Sequence, residues 1–328
     1  LRINIKDVFG HSLKEINKDI FDFLSKYYTI NSVRCDVLLQ HYLKKVPHRD
    51  RYKKCILIQP VDGTKFYRNT IDAFNTYDLI ITPSTNCERI LIENGVISPI
   101  SIIPNYYYTD LLDSDNTYFS DKFTDKKYTF YSETTGIPRK NVINIIKHFN
   151  KTFTNNDNVR LVIKISEGKY RNDVESLIEK NENSPEIVII RDFLSIEELM
   201  SIRKGIDCYI CLSYMEGFCI PLLYAAVLKK DIICFNSKIS GYMDFINPSN
   251  ACLIETFPIQ IEQSFDSVLI YSKESEWEDI DYKDYRAALK ATYNGDYKFD
   301  KNQDYSKFSI ENVMNEYLLE MKIIERLI

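Results

Sequence analysis

The chain has 328 residues, of which 45% are apolar and 27% charged, with a formal net charge of -5. That length holds two domains of ordinary size and that composition is globular, while the negative balance argues against a dedicated nucleic-acid binder. No apolar run approaches the roughly 18 residues that cross a bilayer, and the first residues carry no signal-peptide pattern. Eight cysteines are scattered through the chain, most of them inside apolar runs, where Cys behaves as a small buried hydrophobe. In Cys208-x-x-Cys211 the strand reading points the two side chains to opposite faces, so a structural role is expected. Reduced thiols imply a cytoplasmic setting.

Residues 2–8 alternate toward a strand and turn at Phe9-Gly10-His11-Ser12. Ser12 and Glu15 form a capping box, and Ile16, Ile20, Phe23 and Leu24 give a helical face. Residues 35–40 read as a buried strand. HYLKKVPHRDRYKK follows, a basic run read as a solvated loop or as a patch for an anionic acceptor or membrane surface. Residues 55–59 are a third strand, closed by Pro60-Val61-Asp62-Gly63. A short helix (70–77), a strand (78–84), a helix stopped by Gly95 and a strand (100–103) complete about 105 residues of alternating α/β structure. Residues 106–127 are polar and Asp-rich without a clear period, as a linker would be.

A second α/β series begins at residue 128. YTFYS is a strand, TTGIPRKN a loop, and residues 142–153 a helix. RLVIKIS is a strand closed by Glu167-Gly168, residues 172–180 a helix, and EIVIIRDF a strand. Ser195-x-x-Glu198 caps the next helix, which Gly205 stops. DCYICL then runs as a buried strand into Glu216-Gly217-Phe218, and Pro221 suits a first helical turn. After LLYAAVL a further strand begins at Asp231. An acid and a glycine in such a turn, with a helix N-terminus behind them, suit a hydroxyl-rich, phosphate-bearing ligand at the carboxyl ends of a parallel sheet. ACLIE is followed by polar helices, and the last segment is a helix with Val313, Tyr317, Met321 and Ile324 in register.

Several stretches, taken in order and spacing, are similar to the retaining glycosyltransferases of the GT-B fold, in particular the GT4 family (glycosyl transferases group 1). DLIITPSTNCERILIENGVISPISIIPN resembles the segment that closes that family's N-terminal domain, and GIPRKN its donor-phosphate loop. SEGKY resembles its short turn after the next strand. RDFLSIEELMSIRKGIDCYICLSYMEGFCIPLLYAAVLKKDIICFNSKISGYMDFI is the strongest match, with EGFCIP for the family's EGFGLP and a trailing serine-glycine. The resemblance implies two Rossmann-like α/β domains facing across a cleft. The acceptor-side domain is expected at 1–107, a linker at 108–126 and the donor-binding domain at 127–328, its last helix crossing back.

The implied activity is metal-independent, retaining transfer of a hexose-type sugar from a nucleotide-diphosphate sugar, with no further cofactor. Arg139 and Lys140 are then expected to neutralise the leaving diphosphate and Glu216 to bond sugar hydroxyls. Gly217, Phe218, Cys219, Ile220, Tyr224, Ser166, Glu167, Arg191 and Phe193 are expected to line the donor pocket, and Gly10, His11 and Asp62 the acceptor side. The family has two glutamates separated by seven residues; Glu216 matches the first, but Tyr224 stands at the second, where one hydroxyl replaces a charged acceptor. Asp113-x-Asp115 and Asp279-x-Asp281 lie away from strand ends and are not expected to hold a metal. The acceptor stays open among glycan, lipid, protein and modified nucleic acid, with residues 44–54 as a patch for an anionic surface. A non-catalytic module binding nucleotide, glycan or protein, and a sugar-nucleotide epimerase, are the competing readings.

Overall fold

A computed structural model describes residues 1–6, 11–31, 34–43, 49–166, 174–177, 183–261 and 270–328. The chain divides into two compact units. Unit 1 holds Leu1–Tyr106, Asp266–Ser275 and Ser306–Ile328; unit 2 holds Tyr107–Phe265 and Glu276–Tyr305.

Unit 1 runs β1 (Arg2–Lys6), α1 (His11–Leu24), β2 (Thr29–Ile30), β3 (Val37–His41), β4 (Lys54–Ile58), α2 (Arg68–Phe74), β5 (Leu79–Thr82), α3 (Thr85–Glu93) and β6 (Ile100–Ile102). Its sheet has the order β2-β1-β3-β4-β5-β6, and its pairings among the described residues are parallel. Parallel strands covered on both faces must be apolar throughout, and β3 and β5 are buried at every position. The sequence signal for a helix after β5 is local: Ser84 is the N-cap of α3 and accepts a hydrogen bond from the Cys87 amide.

The basic run is not simply a solvated loop. Its first residue, His41, ends β3 and is buried, and burial pushes its pKa down to about 4. Arg49 and Lys54 pair with Asp78, and Lys53 pairs with Asp36. These pairs spend part of the charge that a patch for an anionic surface needs; residues 44–48 of that run lie outside the described residues.

Unit 2 runs α4 (Tyr118–Lys122), β7 (Tyr128–Thr134), α5 (Val142–Asn150), β8 (Val159–Ile165), β9 (Glu186–Ile190), α6 (Ile196–Gly205), β10 (Cys208–Cys211), α7 (Ile220–Val227), β11 (Asp231–Asn236), β12 (Cys252–Gln260), β13 (Glu276–Ile280) and α8 (Tyr282–Tyr293). The sheet order is β13-β12-β11-β10-β7-β8-β9. Among the described residues all pairings are parallel except that of β12 with β13. From β7 the chain proceeds through β8 and β9 to one side, and from β10 through β11 and β12 to the other. The border between β7 and β10 is therefore a topological switch point, where loops diverge and leave a crevice at the carboxyl ends.

The polar stretch expected to be a linker contributes α4 to unit 2, and α4 packs on α6. The Phe119 amide donates to Ser201 Oγ at 3.0 Å. Gly205 is the last residue of α6, where the sequence places its stop. A Cβ there would lie 2.1 Å from Cδ1 of Phe119, so glycine is required by the close approach of the ring. Where polar helices are expected after residue 255, β12 instead continues to Gln260 and β13 pairs with it, burying Trp277. The expected helix at 172–180 falls mostly outside the described residues, and residues 174–177 form one 3-10 turn.

The sequence division assigns 127–328 to one domain, but two late segments belong with unit 1, the second of them the helix expected to cross back. Tyr271 stacks on Phe66 with ring centroids 5.2 Å apart, and Ser275 Oγ accepts from the Thr64 amide at 2.8 Å. The final helix, α9 (Ile310–Arg326), buries Val313, Met314, Tyr317, Leu318, Met321 and Ile324, the face that its periodicity marks. Among the described residues no helix is long and apolar enough to cross a membrane.

Gly205→Ala should destabilise unit 2 by about 1–3 kcal/mol through overpacking. Urea unfolding checks this, and adding Phe119→Ala in the same chain should recover part of the loss.

Candidate functional site

The switch point brings two loops together. The first leaves β7 and passes through residues 135–141; the second leaves β10 and passes through residues 212–219. Their backbones are tied by the Tyr214 amide, which donates to the Arg139 carbonyl at 2.9 Å. Tyr214 is itself held by stacking on Trp277, and its carbonyl accepts from the Glu278 amide at 3.1 Å. The edge hairpin that sequence reading missed thus braces the second loop.

Within this frame Lys140 Nζ donates to Glu216 Oε1 at 2.5 Å, and Arg139 Nη1 lies 3.2 Å from Glu216 Oε2. Arg139 also donates to the Met215 carbonyl. Glu216 is 5% and Arg139 7% exposed. Burial pushes the Glu216 carboxyl upward, but Lys140 and Arg139 beside it, with hydrogen bonds from Lys140 and Ser213, outweigh that cost. The net effect holds its pKa down at about 2. The Glu216 backbone is clamped as well: its amide donates to Ser240 Oγ at 3.1 Å and its carbonyl accepts from the Gly241 amide at 2.7 Å. The serine-glycine pair after β11 therefore positions the acid. Ser240 is fixed in turn by its amide donating to Ser237 Oγ, whose proton goes to Glu278.

A small hollow opens here, lined among others by Glu133, Lys140, Ser213, Glu216, Cys219 and Pro221. Lys140 is the cation of the pair that lines it; the Arg139 guanidinium lies behind Glu216. Next to it, Thr135 Oγ1 is buried with no hydrogen-bond partner among the described residues, an unsatisfied polar atom of the kind a bound ligand can serve. α7 starts at Ile220 with Pro221 in its first turn, as its sequence indicates, and its N-cap Cys219 has φ 74. That left-handed conformation favours glycine, the residue of the EGFGLP pattern at this position.

The other expected residues are distributed as follows. Gly217 is buried in the turn, Phe218 packs on Phe245 with centroids 5.2 Å apart, and Ile220 is half-buried. Ser166 is exposed at the end of β8, Arg191 is half-buried past the end of β9, and Phe193 is 80% exposed. Glu167 and Gly10 lie outside the described residues; His11 starts α1, and its side chain is not described. Asp62 is in unit 1, where its amide donates to the Tyr271 hydroxyl at 2.6 Å. Tyr224 does not line the hollow. It is 2% exposed, its hydroxyl accepts from the Tyr108 amide at 3.0 Å, and the Arg203 guanidinium lies 4.4 Å from its ring centre. The paired acids also have structural work. Asp279 accepts from the Tyr282 hydroxyl, and Asp281 is the N-cap of α8.

Three features escape sequence reasoning. Arg203 is buried and bidentate to Glu133 at 2.9 and 2.7 Å, which orients Glu133 at the hollow. Ser213 adds a hydrogen bond to Glu216. Cys211 Sγ lies 3.9 Å from Cys219 Sγ, a neighbour that the strand reading of Cys208-x-x-Cys211 does not supply. Only the position of Arg203 in the last turn of a helix carries any signal, and that signal reads as a solvated charge.

Two parallel-sheet units, the second with an acid and two cations at its switch point, define the GT-B glycosyltransferase class. Residues 113–277, half of the sequence, match the family described as glycosyl transferases group 1, and the chain belongs to that family. Among solved structures it is similar in fold to Anabaena Alr3699/HepE in complex with UDP and glucose. That likeness has 10% identity and a TM-score of 0.64, over 98% of this chain and 99% of that one. A glycosyltransferase from Rickettsia africae matches with 13% identity and a TM-score of 0.64, over 97% of this chain and 83% of that one. The pneumococcal O-GlcNAc transferase GtfA, in complex with UDP and GlcNAc, matches with 13% identity and a TM-score of 0.63. There the match covers 95% of this chain but only 60% of GtfA. No curated protein matches the chain in sequence.

Two outcomes follow from this geometry. The Glu216 pKa is lower in the folded than in the unfolded chain, so its ionised form adds stability that is fully present above about pH 4.5 and is lost as pH falls toward about 2. The stability difference between the wild type and Glu216→Gln, from urea unfolding, should therefore stay level above about pH 5.5 and shift against the wild type below it. Cys219→Gly relieves the left-handed strain at a cost in chain entropy, so stability should change by less than about 1 kcal/mol. Thermal unfolding reads that.

Proposed function

We propose that the chain transfers a sugar from a nucleotide-diphosphate sugar to an acceptor hydroxyl, without a metal and with retention of anomeric configuration. The observation that carries this is the buried Glu216 carboxylate, held ionised between Arg139 and Lys140 beside the hollow. Departure of a nucleoside diphosphate leaves negative charge that a preorganised cation must meet. Lys140, half-buried at the hollow, is the group for that work, and the N-terminus of α7 adds a partial positive charge. Glu216 accepts hydrogen bonds from sugar hydroxyls, and Ser240 and Gly241 fix its backbone. Arg139 is a positioning residue: turned onto Met215 and Glu216, it keeps the acid charged and in place. Ser166, Glu167, Arg191 and Phe193, on the loops after β8 and β9, contribute to the nucleotide side. Gly10, His11 and Asp62 in unit 1 are the acceptor-side candidates.

The alternative of a binding module has one observation in its favour. Tyr224, at the position of the family's second acid, spends its acceptor capacity on the Tyr108 amide. Loss of a bond to a charged acceptor weakens donor binding by about 1.5–3 kcal/mol. Two measurements decide between the readings. UDP-, GDP- and ADP-sugars are screened by thermal shift, since a ligand of the native state raises the midpoint. Release of nucleotide from the best binder, with and without glycan acceptors, then reports turnover. Lys140→Ala and Glu216→Ala should each lower turnover about a hundredfold or more while the protein stays folded. Donor binding with no turnover in the wild type would favour the module, and full activity in both variants would exclude the assigned roles.

A further inference from the structure

The floor of the hollow carries two thiols that sugar transfer does not use. Cys211, the last residue of β10, and Cys219, the N-cap of α7, both line it, as does Glu216. One ligand atom from each of the three lies within 4.8 Å of the others. The two sulfur atoms are 3.9 Å apart. A tetrahedral ion with metal–sulfur bonds of about 2.3 Å holds its sulfurs about 3.8 Å apart, whereas a disulfide requires about 2.05 Å. The spacing therefore fits a shared ion without closure of the turn. Cys219 also occupies a left-handed conformation, φ 74, in which a side chain is strained. The thiol is placed where a glycine would be easier.

We propose that Cys211, Cys219 and Glu216 form a binding site for one thiophilic divalent cation of the zinc and cadmium class, with water as a fourth ligand. Thiolate ligands select such ions over magnesium or calcium, which prefer oxygen. Binding breaks two S–H bonds and forms two metal–sulfur bonds. Both protons leave to solvent, and neither sulfur nor metal changes oxidation state. Glu216 turns one oxygen from its cation partner to the metal, and the divalent ion with Arg139 and Lys140 leaves the cluster one positive charge over its three anionic ligands. The hollow gives the ion its path to the thiols. Among the described residues no other group of His, Cys, Asp and Glu side chains is so arranged. The site shares Glu216 with the proposed donor pocket, so a bound ion and a donor sugar compete for that carboxylate; ion binding is read without donor and stands whether or not the chain moves a sugar.

The test is a titration of the reduced full chain with cadmium under anaerobic conditions, read by thiolate-to-metal charge-transfer absorbance and by proton release. The expected result is saturation at one ion per chain, with absorbance for two thiolates and about two protons released. Cys211→Ser and Cys219→Gly should each weaken binding at least about tenfold, Glu216→Gln about tenfold, and Cys35→Ser not at all. Cys219→Gly suits the backbone there, so it removes the thiol from a folded chain, and circular dichroism verifies that. No charge-transfer band, or a band unchanged in both Cys211→Ser and Cys219→Gly, overturns the proposal.

Discussion

The contact on which unit 2 turns is the pair of cations closing on Glu216 across 76 residues of sequence. Taking three charged groups out of water costs several kcal/mol per ion, and a matched apolar trio is often as stable or better. Stability alone does not account for such a cluster. What it supplies is a carboxylate kept ionised and immobile at the edge of a hollow. Every neighbouring feature reads as support for that state. Ser240 and Gly241 hold the backbone of the acid, Tyr214 on Trp277 holds the loop, and Ser237 on Glu278 holds Ser240.

The sheet explains why those loops meet. β7 and β10 are adjacent and parallel, yet the chain leaves them in opposite directions. A loop from each strand can therefore face the same ligand. The rest of the unit is a rigid frame for this border. Seven strands, with α5, α7 and α8 packed on them, bury Phe130, Ile163, Ile210, Ile233 and Leu289 with no measurable exposure. Side chains so packed have little freedom, which is the condition for holding Lys140 and Glu216 to one geometry.

Much of this arrangement was legible before any coordinates. Apolar runs such as those at β8 and β10 announce buried parallel strands, and Ser195 with Glu198 announces the capping box at the start of α6, which is present in full. Arg139, Lys140 and Glu216 stand at predicted strand ends, so their meeting follows once the sheet is parallel. The errors share a cause. Gly205 ends α6 as expected, but the close approach of the Phe119 ring to it was hidden because that ring is distant in sequence. The strand around Trp277 was hidden because an edge strand of mixed polarity has no apolar run. The basic run looked solvated because Asp36 and Asp78, which neutralise part of it, lie outside it.

Residue order by itself determined the alternation of strands and helices, the family and the identity of the acid and its cations. The alternation is written in local patterns whose physics acts within a few residues, and the family in the order and spacing of motifs that resemble it. Tertiary structure alone decided that Tyr224 turns away to the Tyr108 amide, that Arg203 orients Glu133, and that Cys211 faces Cys219 rather than Cys208. These depend on which side chains two distant turns bring within about 4 Å of each other. Sequence spacing carries no record of that distance.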